Sequence, residues 1–424
     1  MDAGCPRRYS EAMYLERPPR TREAISWMGV AAWVIFIYGS IPLARAFQQQ
    51  IYAWGLKPFF LVITLAAFAL AALALVRSAV REAWKPRPSQ VVVLAVVFGL
   101  FVGLTWQLRS NPEEAFHFVQ YGVLALLLLR ALRHRLADPT LYLAALMFGL
   151  FFGILDELIQ WLIPRRFFDY RDILINATAV VLCVSGVAWG LRPSALQAPW
   201  SPAGARLALR GAMVNLALLL LTVSLTPARV ERWASAWPYL ATLDEIPSEY
   251  GYRIELPEVG VFFSRLPPAE LLRQDAERGA EVGPLISEAR SDRDYYRFLK
   301  KRPAHHDPLP AEARIHIFRR DRHAAEALRQ QDLETAKFYA WVAASEHAIL
   351  EAYFPQTLAH SIYRWSDQRR AAITARLGEP ERYVSAVSRQ LITGVSYRSL
   401  VVVLGAGLLV AVVAERRLSR RMRS

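Results

Sequence analysis

Two cysteines in 424 residues leave little room for covalent bracing. Cys5 lies in a polar N-terminal stretch and Cys183 inside an apolar run, so the pair is not expected to meet as a disulfide. No apolar signal region precedes Cys5, which argues against lipidation there, and no small-residue cleavage site precedes the first apolar run. The first helix is therefore expected to stay attached. Internal repeats and low-complexity tracts are absent as well.

Apolar residues are abundant and unevenly spread. They make up 54% of the chain and collect in eight runs: 25–43, 59–76, 91–106, 115–132, 141–163, 173–191, 209–225 and 400–414. Most approach the roughly 20 residues that cross a hydrocarbon core of about 30 Å. The expected fold is an all-α polytopic membrane helix bundle of about eight spans, with a small extracytoplasmic α+β domain.

The net charge of +14 would suit nucleic acid, but the arginines flank the apolar runs rather than forming one patch. With the N-terminus inside, cytoplasmic segments hold groups such as Arg17, Arg20 and Arg22, then Arg130, Arg133 and Arg135, then Arg416, Arg417, Arg420 and Arg421. The short outer loops hold fewer, among them Arg109, Arg165 and Arg166. This bias predicts both termini cytoplasmic. The partners expected are the lipid bilayer, a lipid-linked or anionic envelope ligand and an extracytoplasmic protein, with no nucleic acid.

The organisation that follows is a cytoplasmic tail (1–24), two spans with their linker (25–90), a four-helix core (91–191), a seventh span (207–226), a soluble segment (227–397), an eighth span (398–414) and a basic cytoplasmic tail (415–424). The soluble segment is expected to be extracytoplasmic. Tyr252 to Leu256 and Arg314 to Phe318 read as strands by their alternation, with Ile315 and Ile317 on one face. Glu334 to Tyr353 reads as an amphipathic helix with Phe338, Trp341, Val342, Ser345 and Ile349 inward. His305, His306, His316, His323, His347 and His360 follow no standard metal spacing, and Glu346, His347 and Glu351 read as a solvated charged helix face. No chemistry is assigned to this segment.

Ionisable groups inside spans are costly and therefore informative. Glu113, His117 and Tyr121 recur at steps of four at the start of the fourth span, on one helix face. Asp156, Glu157 and Gln160 close the fifth, and Asp169, Asp172 and Asn176 open the sixth on one face. All three sets fall at the predicted outer surface. His117, Glu157 and Asp172 are the candidates for acid–base work. Arg166 offers a planar fork for phosphate, with Glu113, Tyr121, Gln160, Asp169 and Asn176 as further ligand contacts. No cofactor and no metal is assigned; an ion held by His117, Glu157 and Asp172 is the weaker alternative, because no ligand pair sits at diagnostic spacing. The purely structural alternative pairs Arg165 or Arg166 with Asp156, Glu157 or Asp169, and His117 with Gln160.

These residues also carry a resemblance. An acid, His117-Phe118, Tyr121 and Leu124 resemble the first motif of VanZ-like membrane proteins, and Glu157, Gln160, Pro164, Arg166, Asp169, Asp172 and Asn176 resemble their second. The resemblance covers roughly 91–191. Glu114 stands where many members have Lys, and Ala179 and Cys183 where Gly is usual. Membership implies a bacterial inner-membrane protein of the cell envelope, linked in some members to teicoplanin resistance. Two readings follow: chemistry on a lipid-linked or phosphorylated substrate at the outer face, or a non-catalytic binding, sensing or scaffold protein whose outer domain recruits an envelope partner. Transport is weaker, since no polar stripe continues to the other side.

Overall fold

The computed structural model describes residues 20–422 apart from 57, 82–83, 110, 165, 167, 193–197, 244 and 380–381. The basic tail before Arg20, together with Cys5 and Arg165, lies outside the described residues. Two compact units are present: residues 1–219 with 404–424, and residues 220–403.

The first unit is built of helices α1 (Arg20–Ala53), α2 (Phe59–Arg81), α3 (Pro88–Gln107), α4 (Pro112–Leu132), α5 (Thr140–Trp161), α6 (Tyr170–Ser185), most of α7 (Pro202–Val223) and most of a terminal helix (Tyr397–Arg421). Eight helices among the described residues are long and apolar enough to cross a membrane, one for each run in the sequence. A helix satisfies its own backbone, which is what a hydrocarbon environment demands. Proline punctuates the starts: Pro88, Pro112 and Pro202 open α3, α4 and α7, where a missing N–H costs nothing. The sixth span ends in a π-helical turn, Gly186–Leu191.

Helix α4 is central. Ala115, Phe118, Tyr121, Leu124, Ala125 and Leu128 on it are buried against α1, α2, α5 and α6. Helix α1 is clamped on by side chains that reach backbone oxygens: Trp33 Nε1 donates to Gln120 O at 2.8 Å and Tyr38 OH to Phe152 O at 2.9 Å. Helices α5 and α6 approach closely at Gly149 and Gly153. A Cβ on Gly149 would stand 2.6 Å from Val180 Cγ1, so this small-xxx-small pair sets the spacing. Between α7 and the terminal helix, Glu415 accepts from Arg206 at 3.0 Å and from Arg210 at 3.1 Å.

The second unit contains α8 (Pro227–Ala234), strands β1 (Tyr252–Leu256) and β2 (Gly260–Ser264), helices α9 (Pro268–Ser287), α10 (Asp292–Lys301), α11 (Pro308–Arg329), α12 (Leu333–Tyr353), α13 (Pro355–Ala359) and α14 (Asp367–Thr374), strand β3 (Tyr383–Val384), and the start of α15 (Tyr397–Arg421). Strands β1 and β2 form an antiparallel hairpin, and β3 adds parallel to β2. Gly260 is required there: its φ is +144°, and a Cβ would meet Tyr383 O at 1.9 Å. The start and end of the unit are joined by a bridge of Tyr250 to Ile392, and Tyr250 OH donates to Val223 O at 2.9 Å. Phe262, Leu271, Ile286, Leu309, Ile317, Val342 and Phe354 form the core.

Three expectations for this segment need correction. Arg314 to Phe318 is helical, part of α11. Its alternation misled because Arg314 and His316 are buried along with Ile317, so polar residues did not mark an outer face; Ala313, Ile317, Arg320, Ala324 and Ala327 give the true helical spacing. Glu346 and His347 are buried rather than solvated, while Glu351 is exposed. Phe338 is 52% exposed, whereas Val342, Ser345 and Ile349 are buried as expected, together with Ala336, Ala340, Ala343 and Leu350.

Candidate functional site

The polar residues singled out in the first unit come from the start of α4, the end of α5 and the start of α6, helices that pack on one another. Asp169 caps α6, accepting from Arg171 N at 2.7 Å. Glu157 is fully buried and uses both oxygens: Oε1 accepts from Gln160 Nε2 at 2.7 Å and Oε2 from Asp169 N at 2.9 Å. Gln160 Oε1 in turn accepts from Arg166 at 2.5 Å. Arg166, Gln160, Glu157 and Asp169 thus form one continuous chain that fixes the loop between α5 and α6.

A second group meets beside Gly153. Tyr121 OH donates to Asp156 Oδ2 at 3.1 Å and lies 3.3 Å from Phe152 O. A Cβ on Gly153 would be 3.2 Å from Asn176 Cβ and 3.6 Å from Tyr121 Cε1, so the missing side chain lets three helices converge. Asn176 is fully buried, and neither Nδ2 nor Oδ1 has a hydrogen-bond partner among the described residues; Asp156 Oδ1 also has none. An unpaired buried polar group costs about 1–3 kcal/mol, and at Asn176 both side-chain polar atoms are in that state.

His117 is half-buried, and its Nδ1 lies 3.1 Å from Glu114 O. A carbonyl oxygen only accepts, so Nδ1 carries the hydrogen and the neutral ring keeps Nε2 as its acceptor. This differs from the structural alternative in which His117 bonds Gln160. His117 and Asp172 are both within electrostatic range of Asp156, and Asp172 is also in range of Glu157 and Glu114. No hydrogen bond joins His117, Glu157 and Asp172 directly among the described residues. Glu113 accepts from Gln48 Nε2 of α1 at 2.6 Å. Among the described residues no three His, Cys, Asp or Glu side chains gather to hold a metal ion.

Sequence reasoning placed Asp156 in the cluster only as a possible ion-pair partner of Arg165 or Arg166, and passed over Gln48 and Gly153. Asp156 was masked by its neighbour Glu157, the motif position. The 149–153 glycine spacing, a small-xxx-small pair inside a span, was the available signal for Gly153.

Residues 25–189 match the VanZ/LLP1 family model. This segment is VanZ-like. Together with the eight apolar helices, it makes the chain a multi-pass membrane protein. Comparison with curated proteins and with solved structures gives no match. The VanZ-like segment starts at residue 25, well before the motif resemblance at 91. The packing explains this extension, because α1 supplies Trp33, Tyr38 and Gln48 to α4 and α5.

Proposed function

We propose that the VanZ-like segment binds a polar, anionic head of a cell-envelope substrate at the outer face of the bacterial inner membrane, and acts on it by acid–base chemistry. The observation that carries this reading is the unsatisfied buried amide of Asn176 beside Tyr121 and Asp156, polar atoms that a bound head group would satisfy. His117 and Asp172 exchange the proton, His117 through the Nε2 that its tautomer leaves open. Glu157 is a positioning residue, because both its oxygens already hold the loop that carries Arg166. Glu113, Tyr121, Gln160, Arg166, Asp169 and Asn176 supply contacts to the head. The outward orientation rests on the positive-inside bias of the flanking arginines, and the 227–397 segment accordingly lies on the extracytoplasmic side.

The test is teicoplanin susceptibility of a bacterial host expressing each variant at matched membrane abundance. His117→Ala and Asp172→Asn are expected to abolish any protection given by the parent protein without lowering its abundance. Loss of protection only in proportion to loss of protein would refute the chemistry. The closed chain from Arg166 to Asp169 favours a second, non-catalytic reading in which the cluster locks α5 to α6. In that case Glu157→Gln reduces abundance while His117→Ala and Asp172→Asn keep full protection.

A further inference from the structure

A cavity of about 580 Å³ opens in the second unit against one face of α11. Ile315, Arg319, Arg322 and Glu326, at steps of four, three and four, lie along it with His323, and Tyr339 of α12 and Val387 close the far side. Its charge is unbalanced. Glu326 is tied to Arg329, outside the lining, and feels the Arg322 charge only at longer range, whereas Arg319 and Arg322 both face the cavity. Arg319 is anchored by Glu346 at 3.0 Å and by Tyr383 OH at 3.2 Å, which pins its guanidinium at the wall.

Arg322 differs from the other arginines of this unit that pack between elements. Arg265, Arg278, Arg320 and Arg376 are each held by a carboxylate or a carbonyl. Arg322 is exposed and forms no hydrogen bond or ion pair among the described residues, so its planar fork is open to an oxyanion. His323 Nδ1 lies 2.7 Å from Arg319 O, a carbonyl that only accepts. That leaves Nε2 as the ring's second polar atom. The His323 and Tyr339 rings lie 5.7 Å apart, giving a flat flank beside the cations.

We infer that this cavity is a binding site for a small ligand carrying a phosphate or carboxylate, with Arg322 as the principal oxyanion contact, Arg319 as a fixed second cation, and Tyr339 and His323 against the body of the ligand. The volume is several times that of a bare phosphate, so the ligand has a body as well as a charged head. The site is independent of the membrane cluster, since every lining residue belongs to the second unit.

The test uses the full chain in detergent, titrated calorimetrically with glycerol 3-phosphate, acetate and neutral glycerol. Binding of at least one anion is expected, with at least tenfold weakening by Arg322→Gln, the loss expected for one charge-assisted contact. Arg322→Lys, which keeps the charge without the fork, should weaken binding less. Arg273→Gln, on the exposed face of α9, should leave it within twofold. Preference for glycerol 3-phosphate assigns a phosphate ligand, and preference for acetate a carboxylate. Equal binding of neutral glycerol, failure of both anions, or an unchanged affinity in Arg322→Gln overturns the proposal. An Arg322→Gln protein that does not fold is replaced by Arg322→Ala, for which unchanged anion affinity has the same meaning.

Discussion

Glu346 in the second unit and Asn176 in the first are both fully buried, and they are partnered in opposite ways. In the second, each deeply buried acid is saturated. Glu346 accepts from Tyr383 at 2.5 Å and Ser385 at 2.9 Å, meets His316 at 2.5 Å and pairs with Arg319. Burial works against its ionisation, yet the charge and hydrogen bond of His316, with the two hydroxyls, hold its carboxyl below the usual range. Glu312 is likewise enclosed by Ser264 and Arg265. In the VanZ-like segment, Asn176 and one oxygen of Asp156 are buried without partners. A saturated network is what a fold needs to hold itself together, whereas an incomplete one calls for something from outside.

The largest effect expected from breaking this contrast is at Glu346. Glu346→Ala leaves His316 and Arg319 facing an uncompensated hole and should cost about 3–5 kcal/mol, read as lowered resistance of the second unit to limited proteolysis. Adding His316→Leu should recover part of that loss. An equal loss in single and double variants would show that the pair is not coupled.

A smaller effect comes with acid. His347, stacked on Trp365 beside Arg320, has its pKa pushed down to about 4, first by burial and then by the Arg320 charge. In the unfolded chain it protonates near pH 6.5, so between those values the unfolded state binds more protons. Stability should therefore fall as pH is lowered from about 6.5 to 4, by up to about 3 kcal/mol. Arg320, Glu351, Arg370 and Asp321 are the charged groups that act on the ring. His347→Gln should flatten the thermal-unfolding profile there. Glu346 acts lower down: its contribution is present above the ordinary carboxylate range and is lost below it.

The smallest change in stability, and the sharpest contrast, is expected at Asn176. Asn176→Leu removes an unsatisfied amide, so membrane abundance and thermal stability should stay within about 1 kcal/mol of the parent or rise, while the proposed function, read as any teicoplanin protection the parent gives, is expected to disappear. A marked loss of abundance would place Asn176 with the structural networks of the second unit instead.

The membrane helices were legible because hydrophobic run length is a local property, and all eight runs became helices. Tyr252 to Leu256 and the helix ending at Tyr353 were legible for the same reason, their periods being clean. Helix α11 was not, because buried arginine and histidine break the rule that polarity marks the surface; Glu346 of α12 partners His316, while Ala289 O and Tyr363 O partner Arg314 and Arg320. Within the candidate site, the helices and faces of the polar residues followed from spacing. Which oxygen of which acid is occupied did not: Glu157 and Asp156 are sequence neighbours, yet one is saturated by a loop backbone and the other points to Tyr121.

The parallel pairing of β2 with β3 has a consequence for biogenesis. Gly260 and Tyr383 are register partners, and Tyr250 bridges Ile392, so the sheet closes only after well over a hundred intervening residues have been made. At ordinary synthesis rates that is a wait of roughly ten seconds. Throughout it, β2 has an unpaired edge and can recruit the wrong strand. High contact order of this kind slows folding, so the edge stays open to mispairing until β3 arrives.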